Sequence, residues 1–257
     1  MEQSFLPVEG LAEHPYRTIL GYPRATDDEI STRIREMRDI GVEMVAFTGG
    51  VTINGLGVLG KGYVGLVVLA RTSSGHAALK IRRTDSPRAD MSDEAYYMRM
   101  ANGVGVGPHL WQHSKNLVLM EYLAGVPIRE WMYGLDDKKG SAGLKGVVRS
   151  ILQDCFRLDC IGLDHGELVN ISKHVMVGGG RATIIDFESS SADRRAANVT
   201  SATQSLYIGS GLAERMSNMY DTPGRSEIIE ALRAYKRDRT KRSFDGLLGI
   251  LGVRWDR

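Results

Sequence analysis

The chain has 257 residues, and its 42% hydrophobic and 25% charged residues are ordinary for a soluble globular protein. This length is enough to bury a large core in one domain or in two lobes. The formal net charge of +2 neither requires nor excludes a nucleic-acid partner. Cys155 and Cys160 fit no zinc-site spacing and no disulfide framework, and no apolar run reaches about 18 residues, the minimum for a membrane span. We therefore expect two buried thiols, no membrane partner and a cytoplasmic location.

The first part of the chain, residues 1–50, predicts a helical extension. Between residues 27 and 40, apolar residues recur at helical spacing. Asp27 and Asp28 stand at the start of this segment, where carboxylates favour the helix dipole. Gly41 predicts the end of the helix. The apolar positions are Ile30, Ile34 and Met37.

A glycine-rich turn follows, in the middle of a predicted set of strands. Segments rich in β-branched and apolar residues predict strands over 51–59, 64–70 and 76–81. Between the first two strands, residues 60–67 match the pattern G-x-G-x-x-G-x-V, and Lys80 ends the third. In protein kinases, this order of strand, glycine turn, strand and lysine-bearing strand holds the ATP phosphates. The turn residues expected at the phosphates are Gly60, Lys61, Gly62 and Gly65.

Two other phosphate-binding motifs share these glycines. A dinucleotide fingerprint needs a helix after the loop, but the run VGLVVLA at residues 64–70 predicts a strand. A P-loop needs a Ser or Thr directly after its lysine to meet magnesium, but Lys61 is followed by Gly62. A tight hairpin without a ligand is the remaining alternative to the kinase interpretation.

The rest of the chain predicts a change from strands to helices. Ser92 caps a predicted helix that runs to about residue 101, and residues 116–123 predict a buried strand. This order indicates an α+β fold with two kinase-like lobes, a β-rich N-lobe over 51–119 and a helical C-lobe over 120–257. The C-lobe elements are a helix with the apolar stripe Val147, Val148, Ile151, Leu152, Cys155 and Phe156, short strands over 173–177 and 182–187, and helices over 201–217 and 226–252.

Several residues are candidates for a nucleotide site on this framework. Glu94, on the helix after Lys80, is expected to hold the lysine ammonium toward phosphates; a surface glutamate is the alternative. The backbone at Glu121 and Leu123 is placed to bind an adenine edge, unless this is simply a core strand that enters a loop. Asp186, at the end of an apolar strand, is expected to bind magnesium; an aspartate in a turn at the end of the strand is the alternative.

The second half of the chain carries motifs that resemble a known family. The runs D-H-G-E-L at 164–168 and I-I-D-F-E at 184–188 resemble the atypical RIO-like archaeal kinases, which include the kinase subunit of the tRNA threonylcarbamoylation complex. The run R-A-A-N-V-T at 195–200 is more similar to a compact archaeal group of predicted Ser/Thr kinases. One branch of that group phosphorylates the 2′-hydroxyl of a variable-loop uridine in tRNA. The resemblance covers most of the chain and implies ATP and Mg²⁺ as cofactors and tRNA as the acceptor.

The sequence departs from the broader kinase pattern at the catalytic loop. The position of the usual catalytic aspartate is Glu167, and Asp164 is an alternative carboxylate. The position of the usual metal-binding asparagine is Ser172, with Asn170 nearby, so either is a candidate second ligand. His165 is expected to bond the backbone near Asp186 rather than to act as a base. No long activation segment follows, which argues against a large peptide-docking surface.

A basic run near the end of the chain is the feature of the residues themselves that indicates an RNA partner. Residues 233–242, RAYKRDRTKR, contain six Lys/Arg and one Asp, with Tyr235 among them. Basic residues track phosphates and an aromatic ring stacks a base; a solvated helical face is the alternative. A Ser/Thr protein kinase and a non-catalytic nucleotide-binding protein are the other functional interpretations, and no DNA partner is expected. The residues expected to contact RNA are Arg233, Lys236, Arg237, Arg239, Lys241, Arg242, Arg194 and Arg195.

Overall fold

The chain forms two compact units, each with strands and helices. The computed structural model describes residues 4–136, 141–209 and 211–254. The first unit is Met1–Arg99 with Pro108–Leu123, and the second is Met100–Gly107 with Ala124–Arg257. The protein is therefore a mixed α+β structure, as the sequence predicts. Within the described ranges, none of the helices has the length and apolar character needed to cross a bilayer.

The first unit is built on an antiparallel sheet. The strand order is β1-β2-β6-β7-β9-β8, and β5 pairs with the part of β6 that β2 leaves free, while β3 and β4 form a separate hairpin. Lys80 lies on β7 opposite Val67 of β6 and Val118 of β9, so the sheet holds its backbone on both sides. The elements are β1 (Phe5–Pro7), α1 (Arg17–Leu20), α2 (Asp27–Asp39), β2 (Met44–Ala46), β3 (Val51–Ile53), β4 (Leu56–Val58), β5 (Gly60–Lys61), β6 (Gly65–Thr72), β7 (Gly75–Arg82), α3 (Ser92–Asn102), which begins in this unit, β8 (Leu110–His113) and β9 (Leu117–Glu121).

Helix α2 is the helix predicted within residues 1–50. Thr26 and Glu29 form a capping box at its start, and Gly41, with a φ of 83°, ends it in a conformation that suits glycine. The same segment also contributes β1 and β2 to the sheet. These strands have three residues each, too few to give a periodic signal, so the sequence indicated only the helical part of this segment.

Two other local predictions differ from the structure. Residues 51–59 form the hairpin of β3 and β4 rather than one strand, because Asn54 and Gly55 both have positive φ, as a two-residue type I′ turn requires. Ser92 is the first residue of α3 rather than its cap, and Asp90 accepts its N–H at 2.8 Å.

The second unit packs helices around a three-stranded sheet. The sheet order is β10-β11-β12, and all its pairings are antiparallel. Helix α5 buries its predicted apolar stripe, except that Phe156 is partly exposed and stacks on Phe244. The elements are β10 (Val126–Pro127), α4 (Ile128–Tyr133), α5 (Ser141–Cys160), α6 (Ile171–His174), β11 (Val175–Gly178), β12 (Arg181–Ile184), α7 (Asn198–Tyr207), α8 (Gly211–Met219), α9 (Arg225–Asp238) and α10 (Lys241–Ile250).

The two long helices predicted near the end of the chain are each divided. The segment 201–217 spans α7 and α8, with Gly209 between them at a φ of 74°. The segment 226–252 spans α9 and α10, because Arg239 takes a φ of 49° and the Thr240 side chain accepts the Ser243 N–H to start a new helix. Apolar periodicity continued across both breaks, so it did not reveal them.

The two thiols differ in exposure. Cys155 is buried, whereas Cys160 is exposed, so the prediction of a buried thiol was wrong for Cys160. Five residues along a helix turn a side chain by about 140°, which takes Cys160 away from the face that packs on the core.

Candidate functional site

Lys80 and Glu94 form a buried ion pair in the first unit. The distance from Lys80 Nζ to Glu94 Oε1 is 2.8 Å, and both side chains are 5% exposed. The burial of Glu94 excludes the alternative of a surface glutamate. Because removing two charges from water costs about as much as their attraction returns, such a pair is a weak source of stability. The burial of this ion pair is better explained if Glu94 holds the Lys80 ammonium group in place.

The glycine turn connects β5 to β6. The Gly62 N–H donates to Gly65 O at 2.8 Å and closes the turn. A Cβ atom at position 65 would lie 2.9 Å from Ile81 O and 3.0 Å from Lys80 Cγ, so glycine is needed there for the lysine side chain to pack. A Cβ atom at Gly60 would meet nothing within 4 Å. A larger side chain would therefore fit at position 60, and packing within the protein does not require glycine there.

Tyr22, which the sequence analysis missed, supports this turn from the N-terminal segment. Lys61 Nζ donates to Tyr22 Oη at 2.8 Å, and the Arg83 guanidinium lies 5.3 Å from the centre of the tyrosine ring. Arg83 also donates to Gly62 O at 3.3 Å. These contacts hold both sides of the turn. No local sequence pattern predicts them, because Tyr22 is distant from the turn in sequence.

The end of β9 carries the backbone predicted to bind adenine. The Glu121 N–H donates to His109 O at 2.8 Å, and its carboxylate accepts the His109 N–H at 3.1 Å. The N–H of Glu121 is therefore already used within the unit. Leu123 lies two residues beyond the strand.

In the second unit, Glu167, His174 and Asp186 form a cluster. Glu167 Oε2 lies 2.8 Å from His174 Nε2, and Asp186 Oδ2 lies 3.8 Å from His174 Nδ1. Glu167 also accepts the Ser189 hydroxyl at 2.7 Å. One ligand atom from each of the three residues lies within 4.8 Å of the others, so the group is suited to a metal ion.

The backbone around Asp186 is unusual. Asp186 has a φ of 69°, a left-handed conformation that costs a residue other than glycine about 1–2 kcal/mol. The preceding carbonyl, of Ile185, lies 3.0 Å from His165 Nε2, and the ring of Phe187 packs on His165. Burial lowers the pKa of His165 to about 4, so the ring is neutral at physiological pH. The predicted structural role of His165 is confirmed.

Asn170 and Ser172, the predicted second metal ligands, contact each other. The Ser172 hydroxyl donates to Asn170 Oδ1 at 2.8 Å. The residue that lies beside Asp186 is His174, which the sequence analysis missed. The one-turn helix α6 brings it back toward Glu167, so only the fold reveals the proximity.

Asp164, the alternative catalytic carboxylate, has both oxygens occupied. Oδ2 accepts from Arg194 Nε at 3.0 Å, and Oδ1 accepts the Ala197 N–H at 3.2 Å. Its backbone also pairs with Ser191. Glu167 is 39% exposed, compared with 15% for Asp164, and is the more accessible of the two.

Asn198, within the R-A-A-N-V-T run, ties the loop before Glu167 to the core. Its side chain donates to Leu163 O at 2.7 Å and to Asp159 Oδ1 at 2.9 Å, and it accepts the His165 N–H at 2.9 Å. Burial raises the pKa of the Asp159 carboxyl. The hydrogen bonds of Asn198 therefore give this run a structural role, in addition to the family resemblance that it carries.

Tyr235 does not belong to an exposed basic stripe. It is 1% exposed, and its hydroxyl donates to Asp159 Oδ2 at 2.8 Å. The prediction that Tyr235 stacks a base was wrong, because its position on α9 faces the core.

Two of the basic residues, Arg194 and Arg195, contact the loop before Glu167 and the end of α9 within the second unit. The residues that are exposed are Arg233, Lys236, Arg237, Lys241, Arg242, Arg194 and Arg195, and Arg239 is half-buried. Arg195 donates to Lys236 O at 3.1 Å, and Arg194 donates to Asp164 and to Ser189 O. These contacts connect the basic end of α9 to the segment that carries Glu167.

Comparison with known proteins adds no relative to this description. No protein-family model matches the chain, and the search of curated proteins returned no significant match.

Proposed function

We propose that this protein is an ATP-dependent phosphotransferase with a two-lobed, kinase-like fold, in which the two units are the lobes. The observation that supports the proposal most directly is the buried Lys80–Glu94 pair. Its lysine lies on a central strand and packs against Gly65 of the glycine turn. A positioned ammonium group next to the backbone amides of such a turn is what ATP phosphates require.

In this proposal, residues of the first unit bind the phosphate donor, ATP. Lys80, held by Glu94, binds the α- and β-phosphates, and the amides of the glycine turn cover them. The lack of any steric need for glycine at position 60 supports close approach of a ligand to the backbone there. The adenine edge would meet the backbone at Leu123.

Two residues of the second unit would hold the cation and orient the acceptor hydroxyl. Asp186 would hold a divalent cation, Mg²⁺ or the chemically similar Mn²⁺, which neutralises charge on the phosphates when it is bound with ATP. Glu167 would accept the proton of the attacking hydroxyl, whose oxygen bonds to the γ-phosphorus while the bond to the leaving ADP oxygen breaks. The contacts with His174 and Ser189 fix the orientation of the Glu167 carboxylate, and orientation of this kind lowers the barrier to transfer.

We propose a ribose 2′-hydroxyl of tRNA as the acceptor. The basic end of α9 is joined to the catalytic loop through Arg195 and Arg194, which supports a polyanionic substrate next to Glu167. Lys241 and Arg242 occupy the first positions of α10, where positive charge opposes the helix dipole. Lys241 pairs with Asp245 one turn along the same helix, which offsets this cost, so the dipole supports phosphate binding only for Arg242.

A Ser/Thr protein kinase is the second candidate. The observation that favours it is Val169, which is 66% exposed only two residues after Glu167. An exposed apolar side chain at that point would be covered by a peptide rather than by a ribose. The same ATP chemistry would serve both acceptors.

Labelling with radioactive γ-phosphate separates the candidates. The purified protein is incubated with labelled ATP and either total archaeal tRNA or an archaeal protein extract, and labelled tRNA is digested for nucleoside mass spectrometry. We expect a 2′-phosphorylated nucleoside that disappears in Lys80→Ala and Asp186→Ala and persists in the control Lys115→Ala, which removes an exposed lysine of the first unit. Labelled protein without labelled tRNA would favour the second candidate. ATP binding without any transfer would refute phosphotransferase activity.

The basic residues are tested separately from the chemistry. Replacing Arg233, Arg237 and Arg242 by alanine is expected to weaken tRNA binding and to reduce its salt dependence by about one unit of slope for each phosphate that no longer meets a guanidinium group. Affinity for ATP should not change. Equal tRNA binding by the wild type and the triple variant would remove the support for an RNA acceptor.

A further inference from the structure

We infer that His174 and Asp186 form a binding site for a divalent transition-metal ion of the Mn²⁺ or Zn²⁺ class. His174 Nδ1 and Asp186 Oδ2 are the protein donors, and Glu167 is a positioning residue that orients the histidine. The inference depends on the proposed function only for the use of the metal in phosphoryl transfer. Binding of the ion itself requires neither ATP nor an acceptor.

The contact with Glu167 determines which histidine nitrogen is available. His174 Nε2 lies 2.8 Å from Glu167 Oε2, a normal distance for an N–H donor and a carboxylate acceptor. A neutral imidazole that donates from Nε2 carries its lone pair on Nδ1. The structure therefore directs the metal-binding nitrogen of His174 away from Glu167.

The lone pair on Nδ1 has no hydrogen-bond donor among the described residues. The His174 side chain is 8% exposed, and its Nδ1 is buried and makes no hydrogen bond to any described residue. It lies 3.8 Å from Asp186 Oδ2, which is too far for a hydrogen bond. A buried acceptor without a partner is destabilising, because it has lost its hydrogen bonds to water. A cation shared by Nδ1 and Oδ2 removes this cost.

The donor set selects the class of ion. Metal–nitrogen and metal–oxygen bonds of about 2.1 Å allow one ion to span the two atoms. Imidazole nitrogen suits transition metals, whereas Mg²⁺ prefers oxygen ligands alone. A carboxylate that accepts the second N–H of a metal-binding histidine is the usual support for such a site. With two protein donors, the remaining positions are open to water or phosphate oxygens.

Metal titration without nucleotide tests the site. The purified full-length protein is stripped with a chelator and titrated with Zn²⁺, Mn²⁺ and Mg²⁺ by calorimetry. We expect Zn²⁺ and Mn²⁺ to bind more tightly than Mg²⁺, and both His174→Gln and Asp186→Asn to weaken Zn²⁺ at least 10-fold. Glu167→Gln, which removes the orienting carboxylate, is expected to weaken it about 10–100-fold. The matched control His113→Gln, at a histidine on β8 in the first unit, should bind like the wild type.

Histidine ¹⁵N resonances of the wild type give a second measurement that does not depend on a variant folding. Zn²⁺ is expected to shift the Nδ1 resonance of His174 while Nε2 keeps its proton. A His174 ring protonated on both nitrogens and unchanged by Zn²⁺, or equal Zn²⁺ affinity in His174→Gln, would overturn the inference. Metal binding at His174 without phosphoryl transfer would leave the site intact and refute the proposed function. Transfer with Mg²⁺ and no metal contact at His174 would do the reverse.

Discussion

Replacing Asn198 by alanine tests whether buried hydrogen bonds hold the loop that precedes Glu167. The side chain donates to Leu163 O and Asp159 Oδ1 and accepts from the His165 N–H, so alanine removes three buried hydrogen bonds. A buried polar group that loses its partner costs about 1–3 kcal/mol. Asp159 Oδ1 keeps the Asn198 backbone N–H, so two groups lose their partner. We expect the free energy of unfolding to fall by roughly 2–6 kcal/mol, a large part of the roughly 5–15 kcal/mol that stabilises a typical protein.

The assay is urea unfolding followed by far-UV circular dichroism, with a control on the same helix. Thr203 is fully buried on α7, and its hydroxyl makes no hydrogen bond to any described residue. Thr203→Val keeps the shape and removes this hydroxyl, so it should leave the free energy of unfolding unchanged or raise it by about 1 kcal/mol.

Two results would refute the reasoning. Asn198→Ala within about 1 kcal/mol of the wild type would mean that the three hydrogen bonds are replaced at little cost, for example by water. A loss in Thr203→Val as large as that in Asn198→Ala would mean that α7 is sensitive to any change of side chain. In either case, hydrogen bonds from Asn198 would not be what holds the loop.

Three further predictions follow from the buried groups and the glycine turn. Tyr235→Phe removes a hydrogen bond to Asp159 and should lower the free energy of unfolding by about 1.5–3 kcal/mol; weaker tRNA binding at unchanged stability would contradict its buried role. Burial raises the pKa of Asp154 to about 6, above its value of about 3.9 in an unfolded chain. The charged form is therefore disfavoured in the fold, and the wild type should gain up to about 3 kcal/mol relative to Asp154→Asn as the pH falls from 7 to 4. Urea unfolding at several pH values measures this gain, and a constant difference would contradict it. Gly65→Ala should disturb the lysine side chain and lower both stability and ATP affinity, whereas Gly60→Ala should retain stability; equal stability of the two variants would contradict the close approach of Ile81 and Lys80 to Gly65.

Local signals predicted the parts of the fold that depend on neighbouring residues. The start of α2 at Asp27, its end at Gly41 and the strand that carries Lys80 follow from short-range chemistry. The order of glycine turn, strand and lysine strand was also visible, because each element of this hairpin is adjacent in sequence to the next.

The predictions that failed depend on which way a side chain faces or on where the backbone breaks an element. Tyr235 lies in a basic run, but its position on α9 points it to Asp159. The run itself is divided at Arg239, whose left-handed conformation no hydrophobic pattern predicts. Exposure and continuity of a charged surface are properties of packing, and the sequence of one segment does not contain them.

The sequence by itself determined a mixed α+β protein, the glycine turn before Lys80, and the carboxylates Glu167 and Asp186 as candidates for the site. The tertiary structure decided that Glu94 is buried against Lys80 and that His174 lies between the two carboxylates. The physical reason is the range of the interactions. Caps, turns and strands are selected by residues a few positions apart, whereas a cluster of charged groups forms only when packing brings distant segments within a few ångströms.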